Sequence, residues 1–424
     1  MPSNYPQVLF QNRKPDRITT LEEYRQSGGY RALADVCKHW SPKDVQQEIM
    51  NANLLGRGGA AFPTGMKLMA VAEDAPYPRY IVCNADEMEP GTFKDRVLIH
   101  ADPHMIIEGL ILAGFAARAE EGIIFIRPEY ENAARILERE IKIAREAGYL
   151  GQNILGNGYS LEIVVHRSAG RYICGEVTAQ MNALMGKRPN PKVPPPYPTE
   201  KGLWGRPTVF QNVDTLACIP HVINNGAEWF KGLARTATGG GTKIFCVSGK
   251  VNRPGCYELP LGVPLREIIE EHAGGLPPGS EFKACLPGGA STRFLSKEFY
   301  EIEMDFESLR KVGHRLGTGA VMVFDHKTCL VAATLNLIEF FARESCGWCT
   351  PCREGLPYIR DLLRRIEEGE GREEFIPMLE RMSKHLWSAY CAFAPGAVSP
   401  VEGLLTYFED EVQEHIVQRK CPLK

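Results

Sequence analysis

No stretch of this chain collects charge of one sign: 49 lysines and arginines and 52 aspartates and glutamates nearly cancel to a formal −3, and no basic run stands out. That removes the electrostatic footprint by which nucleic acid or an anionic membrane surface is held. Long apolar runs are missing too. The most apolar segment, MIIEGLILAGFAARA from Met105, carries Glu108 and falls short of the roughly 20 residues a membrane helix needs. The opening MPSNYPQVLFQNRKPDR lacks the basic start, apolar middle and small-residue cleavage site of a signal peptide. The chain therefore reads as soluble. Neither a G-x-G-x-x-G fingerprint nor a Walker A loop occurs, and cysteine does not form the two separated C-x2-C pairs usual for four-cysteine zinc.

What is present is a globular composition, 44% hydrophobic and 24% charged, over 424 residues, a length that predicts about three units. Of thirteen cysteines, nine are scattered singly (Cys37, Cys83, Cys174, Cys218, Cys246, Cys256, Cys285, Cys329, Cys421), mostly in apolar text. They read as buried free thiols of a reducing compartment rather than as a disulfide framework. Residues 1–50 predict short amphipathic helices, and residues 51–239 alternate strand-like and helix-like text, the pattern of a largely parallel, helix-covered, Rossmann-like α/β sheet. Within that region KRPNPKVPPPYP (187–198) predicts an extended surface arm. Short strands with glycine turns over 240–327 predict a small α+β module. Apolar spacing of three and four over 328–424 predicts a four-helix bundle.

ESCGWCTPCREG sets Cys346, Cys349 and Cys352 at C-x2-C-x2-C, too close for unstrained pairwise disulfides and suited to three irons of a [4Fe-4S] cluster. The fourth ligand is expected at Cys391, in a turn between helices that an antiparallel bundle folds back toward the triplet. Cys421 is the weaker candidate; structural zinc, and plain reduced thiols packing a helix turn, are the alternatives to iron and sulfur. GRGGAAFPTGMK (56–67) offers Gly56, Gly58, Gly59 and Gly65 around Arg57 and ends on Lys67. Such a loop can cradle a phosphate on its N–H groups, though the pattern equally describes a loop without ligand. CNADEMEPGTFKDR then crowds Asn84, Asp86, Glu87, Glu89 and Asp95 at a strand end, where α/β sheets bind ligands; a solvated acidic loop is the plainer reading.

Six stretches in order, GRGGAAFPTG, CNADEMEPGTFKDR, DPHMIIEGLILAG, RYICGE, KGLWGRPT and ESCGWCTPCREG, resemble the flavoprotein (51 kDa or F) subunit of NADH:quinone oxidoreductase, respiratory complex I, and its diaphorase relatives. VSGKVNRPGCYELP is similar to the family's soluble-ligand-binding β-grasp (SLBB) module. The resemblance implies non-covalent FMN held by Gly56, Arg57, Gly58, Lys67, Asn84, Asp86, Gly175, Glu176, Asn212 and Thr215. It implies NADH on Gly59, Phe62, Glu87, Glu89, Asp95 and Tyr197, with Glu89 near the ring stack helping to place the dinucleotide, and a [4Fe-4S] cluster on Cys346, Cys349, Cys352 and Cys391. It further implies a thioredoxin-like [2Fe-2S] partner, a larger multi-cluster iron-sulfur partner and a cytoplasmic place peripheral to the inner membrane.

Against the family pattern, Val177 stands where a glutamate is usual, Ala61 where a glycine is, and Gln211 and Asp214 where asparagine and glutamate are. Loss of the carboxylate at Val177 predicts weaker discrimination against a 2'-phosphate. Two other readings compete: a diaphorase subunit of a soluble hydrogenase or formate dehydrogenase, and a non-catalytic docking protein built on the β-grasp module.

Overall fold

The computed structural model describes residues 5–423; the first four residues of the N-terminal stretch and Lys424 lie outside the described residues. Three short helices come first, α1 (Leu21–Gln26), α2 (Arg31–His39) and α3 (Pro42–Asn51). Thr20 with Glu23 and Ser41 with Asp44 start α1 and α3 as reciprocal caps, satisfying N–H groups that a helix start leaves open. The glycine loop leads into α4 (Thr64–Met69). Then follow β1 (Tyr80–Ala85), α5 (Lys94–Ala101), α6 (Pro103–Ala117), β2 (Glu121–Ile126), α7 (Glu131–Glu146), β3 (Glu162–Arg167), α8 (Val177–Leu184), α9 (Pro198–Lys201), β4 (Thr208–Asn212), α10 (Val213–Asn225) and α11 (Ala227–Gly232).

The four strands are parallel in the order β3-β2-β1-β4. The chain leaves β1 to one side for β2 and β3 and returns on its other side as β4, so the order reverses between β1 and β4. Both faces of the sheet are covered, as a parallel sheet requires. Ile81, Cys83, Ile124 and Ile126 pack into the core that holds α6, every residue of which is buried. Val82, Ile123, Phe125 and Phe210 face the other way, into a second core shared with the C-terminal helices. Glu108 inside α6 is not a flaw in the apolar run. Its carboxylate accepts from Tyr24 Oη at 2.5 Å, Tyr30 N at 2.8 Å and Leu33 N at 3.1 Å, pinning α1 and α2 onto the core. No single helix is long and apolar enough to cross a membrane among the described residues.

A five-stranded mixed sheet follows: β5 (Thr242–Gly249), β6 (Gly255–Pro260), β7 (Phe282–Leu286), β8 (Leu295–Ser296) and β9 (Ala320–Asp325), in the order β6-β5-β9-β7-β8. Between β6 and β7 lies α12 (Leu265–Glu267), continued by a wider turn over Ile268–His272, and α13 (Phe306–Lys311) precedes β9. A central parallel β5–β9 pair flanked by antiparallel neighbours is the β-grasp arrangement. The C-terminal region is all helix: α14 (Leu330–Glu344), α15 (Thr350–Glu367), α16 (Phe375–Leu386), α17 (Phe393–Tyr407) and α18 (Glu409–Gln418). Four apolar segments thus yield five helices. The last segment breaks at Phe408, whose φ of −141° leaves the helical region and lets Phe408 pack on the shared core.

Candidate functional site

A cleft opens at the C-terminal ends of β1 and β4, where the strand order reverses, the place in which open α/β sheets bind ligands. Asn84 closes β1 and Asn212 closes β4, in register with one another. The floor is a network of buried charge. Lys94 Nζ bonds Asp95 Oδ1 at 2.6 Å and Asn212 Oδ1 at 3.0 Å, with Asp214 Oδ2 at 3.4 Å. Asp214 also takes Lys243 Nζ at 3.3 Å. Burial pulls Lys243 down to about 8, and its two lysine partners hold Asp214 below the usual carboxylate range against the opposing effect of burial. This network ties α5, α10 and β5 together, so the β-grasp module is locked to the sheet directly under the cleft.

The glycine loop forms one wall. It is pinched shut by Gly56 N donating to Phe62 O at 2.9 Å, and Gly58 and Gly59 reach the cleft. A Cβ on Gly58 would lie 3.2 Å from Asn212 Cβ, and Gly59 has φ +118°, so both positions favour a residue without a side chain. Ala61 sits in the left-handed region at φ +55°; the departure from glycine seen in the sequence therefore carries backbone strain of about 1 kcal/mol or more.

Asp86 lines the cleft with one oxygen engaged by Ser168 Oγ at 2.7 Å and the other buried without a partner. Burial pushes this carboxyl up to about 7. Glu87 accepts from Asp95 N at 2.8 Å and Arg96 N at 3.2 Å, capping the start of α5, and burial raises it to about 7 as well. Glu89 is raised chiefly by burial and is held by Tyr172 Oη at 2.5 Å and Ser291 N at 2.7 Å. Glu176 caps α8 through Ala179 N at 2.8 Å, beside Gly175.

Ten of the expected cofactor-binding residues thus meet at the cleft: Gly58, Gly59, Asn84, Asp86, Glu87, Glu89, Asp95, Gly175, Glu176 and Asn212. Three more of the expected residues have side-chain positions turned away from the cleft or beneath it. The Arg57 side chain is fully buried and turned away, donating from Nη2 to Gly240 O at 2.5 Å. Gly65 serves packing, because a Cβ there would come within 2.7–2.8 Å of Met50 Cβ and backbone where α4 crosses α3. Thr215 is fully buried and accepts the Arg57 N–H at 2.8 Å, steadying the loop from beneath. Gly56, Phe62 and Tyr197 lie outside the cleft lining, Phe62 and Tyr197 being 47% and 56% exposed; Lys67 is not in the lining either, but its Nζ lies on Phe210 O, two residues before Asn212 on β4. Sequence reasoning missed the far wall, made by Ser291, Arg315 and Thr318 of the β-grasp module and by Phe393. Thr318 Oγ1 meets Thr92 Oγ1 at 2.6 Å, a contact across more than two hundred residues that no local signal announces.

Two features fit the phosphate and the sugar-alcohol chain of a flavin mononucleotide. Lys67 is part-buried with Phe210 O at 3.0 Å as its hydrogen-bond acceptor, and burial lowers it to about 8; an ammonium so placed gains from an anion. The free Asp86 oxygen is an acceptor for a sugar-alcohol hydroxyl, since a buried carboxylate oxygen without a donor is costly.

Cys346, Cys349, Cys352 and Cys391 line a single pocket walled by Ile173, Pro191, Phe393 and Ala394. Cys352 lies in the first turn of α15 and Cys391 just before α17, so two helix N-termini lie at the pocket, and their dipoles would favour an anionic group there. Arg188 and Arg353 hold the carbonyls of Cys346 and Gly347 at 3.3 and 3.1 Å. Among the described residues, these four cysteines are not a set whose sulfurs all approach within 4.8 Å. A single zinc, with bonds of about 2.3 Å, would need sulfurs roughly 3.8 Å apart. Four cysteine donors lining one pocket are the set that a [4Fe-4S] cluster takes. Ile173 and Phe393 line both this pocket and the cleft, so one layer of side chains separates them.

The chain matches the Nuo51 FMN-binding domain over residues 49–221, the NADH-ubiquinone oxidoreductase-F iron-sulfur binding region over 332–415 and the SLBB domain over 244–295. It is 46% identical over 416 residues to the F 2 subunit of NADH-quinone oxidoreductase of Rhizobium meliloti, covering 98% of this chain and 99% of that one. It is 45% identical over 420 residues to the F subunit of NADH-quinone oxidoreductase of Escherichia coli, covering 98% and 94%. Among solved structures it is similar to a NAD+-reducing [NiFe]-hydrogenase in the H2-reduced state, with TM-score 0.84 and 33% identity over 97% of this chain and 67% of that one.

Proposed function

This chain belongs to the family of the NADH-quinone oxidoreductase F subunits, and we propose that it oxidises NADH in the cleft between β1 and β4 and passes electrons through the Ile173–Phe393 wall to the four-cysteine pocket. The observation that carries this reading is the shared wall. When bound, FMN supplies hydride acceptance and stepwise electron release, and the cluster supplies one-electron transport.

The residues divide the work. Gly58 and Gly59 let the main chain approach the flavin; Lys67 neutralises its phosphate; Asn84, Asp86 and Asn212 orient its hydroxyls and ring. Phe62 and Tyr197 offer exposed rings for stacking adenine, away from the reacting atoms. Glu89, fixed by Tyr172 and Ser291, positions the nicotinamide end, and no side chain is required as general acid or base. Exclusion of water falls to Phe393 and Tyr172, which pack edge to face at 5.4 Å.

The protein works within a multi-subunit complex. Trp348, Trp387 and Tyr390, 57%, 55% and 44% exposed, lie at or beside the cysteine pocket and support an iron-sulfur partner docked there: a thioredoxin-like [2Fe-2S] protein, with a larger multi-cluster one beyond. A complex I host is supported over a hydrogenase host, since identity is 46% over nearly the whole of a complex I-type F protein but 33% over two thirds of the hydrogenase chain. Reconstitution with FMN, iron and sulfide tests the reading. A flavin and cluster spectrum with NADH:ferricyanide activity is expected, and a colourless protein that does not oxidise NADH contradicts it.

A further inference from the structure

Away from both pockets, the two ends of the C-terminal region meet in a cluster of metal-ligating side chains. Cys329, Glu367, His415 and Cys421 each bring a ligand atom within 4.8 Å of all the others. Cys329 Sγ lies 3.3 Å from His415 Nε2 and 3.5 Å from Glu367 Oε2, and His415 Nε2 lies 3.2 Å from Glu367 Oε2. His415 is fully buried, Cys421 is 4% exposed and the Glu367 side chain 8%. Ligand atoms around one tetrahedral zinc, bonded at about 2.0–2.3 Å, sit roughly 3.3–3.8 Å apart, close to the 3.2–3.5 Å among Cys329, Glu367 and His415, with Cys421 inside the same 4.8 Å limit.

The surroundings are those of a built site. His415 Nδ1 bonds Glu411 O at 2.7 Å; with the proton on Nδ1, the Nε2 lone pair faces the cluster, the usual way a second hydrogen bond orients a metal-binding imidazole. Cys329 is the N-cap of α14 and its sulfur accepts from Ala332 N at 3.3 Å, an arrangement that favours thiolate. The tail is delivered by a close approach: a Cβ on Gly369 would sit 2.1 Å from Arg419 O, and Arg419 turns in the left-handed region at φ 53°. These features return Cys421 to the end of α15, beside Glu367.

We propose that Cys329, Glu367, His415 and Cys421 form a second, mononuclear zinc site that clamps α14, α15, α18 and the C-terminal tail together. All four positions are filled by protein, so the role is structural rather than catalytic. Binding converts two thiols to thiolates and releases two protons to solvent, and affinity falls as pH is lowered. The site is independent of the flavin and the four-cysteine pocket, and its test does not depend on NADH oxidation.

The test is metal content by mass spectrometry and zinc K-edge absorption on the full chain, grown with zinc and loaded with its flavin and cluster. About one zinc per chain is expected, with two sulfur neighbours at about 2.3 Å and two nitrogen or oxygen neighbours at about 2.0 Å. Cys421→Ser should lower zinc at least tenfold while iron stays unchanged, and Cys37→Ser should lower neither. Absence of zinc from the wild-type chain, four sulfur neighbours, equal zinc in wild type and Cys421→Ser, or a Cys329–Cys421 disulfide by intact mass would each overturn the proposal. The wild-type absorption spectrum decides the matter even if a variant does not fold.

Discussion

Val177 begins α8 next to Glu176, whose carboxylate is occupied in capping that helix and so cannot stand in for the missing glutamate. Val177→Glu is expected to raise the ratio of kcat/KM for NADH over NADPH by about tenfold or more, since a hydrogen bond to a charged group contributes roughly 1.5–3 kcal/mol. Equal, strong preference for NADH in both proteins would rule the idea out. Lys67 yields a second prediction at this scale. Its ammonium, lowered to about 8 by burial, loses its proton as pH rises through that value. FMN binding to the apoprotein should therefore be tight below about pH 8 and weaken above it. Lys67→Met should bind FMN about tenfold or more weakly with a flat profile, measured by fluorescence quenching; an unchanged pH profile in the variant contradicts the assignment. Residue types at the cleft were legible because carboxylates and amides crowd one strand end. What each does was less so: Arg57 and Gly65 belong to the same glycine-rich stretch as Gly58, yet one holds Gly240 and the other, in α4, admits Met50. Sequence spacing cannot tell a glycine that faces a ligand from one that faces a helix.

Elements with clean periodicity, such as β1, α6, α7 and α14, could be read directly, because an apolar face or an apolar run marks each. β4 and α10 could not. β4 is five residues that end on Gln211 and Asn212, and α10 carries Pro220 inside it, a residue that ordinarily marks a helix end. Their place is set by tertiary packing against β1 and α6. That packing is tight enough to test: a Cβ on Gly109 of α6 would lie 2.0 Å from Leu216 O of α10, a backbone atom that can move only with its helix. Gly109→Ala should therefore destabilise the chain by about 1–3 kcal/mol, seen as a lower denaturant midpoint. A stability equal to wild type would mean that the two helices are not pressed together.

At the scale of the whole molecule, the parallel sheet is a partition. One face holds α6 and the N-terminal helices; the other holds a core that Val82 and Phe125 share with Ile338, Phe341, Leu356 and Val398 of the C-terminal helices. Because the helices pack on the sheet instead of hanging from a linker, the cysteine pocket is brought to the edge where the cleft opens. Sequence order alone places the triplet about 260 residues from Asn84, and only the fold closes that distance. Cluster, flavin site and β-grasp module were each legible as segments; their meeting at Ile173, Phe393 and Thr318 was not, since it arises from long-range packing.

The central claim is that electrons leave the cleft through that thin wall. Freeze-quench electron paramagnetic resonance after mixing the reconstituted chain with NADH tests it most directly. The account predicts that a reduced-cluster signal grows in the flavin-loaded chain and stays absent when the flavin is removed. Growth of the same signal in flavin-free protein, or a flavin bleached by NADH beside a cluster that only a chemical reductant can reach, would contradict it.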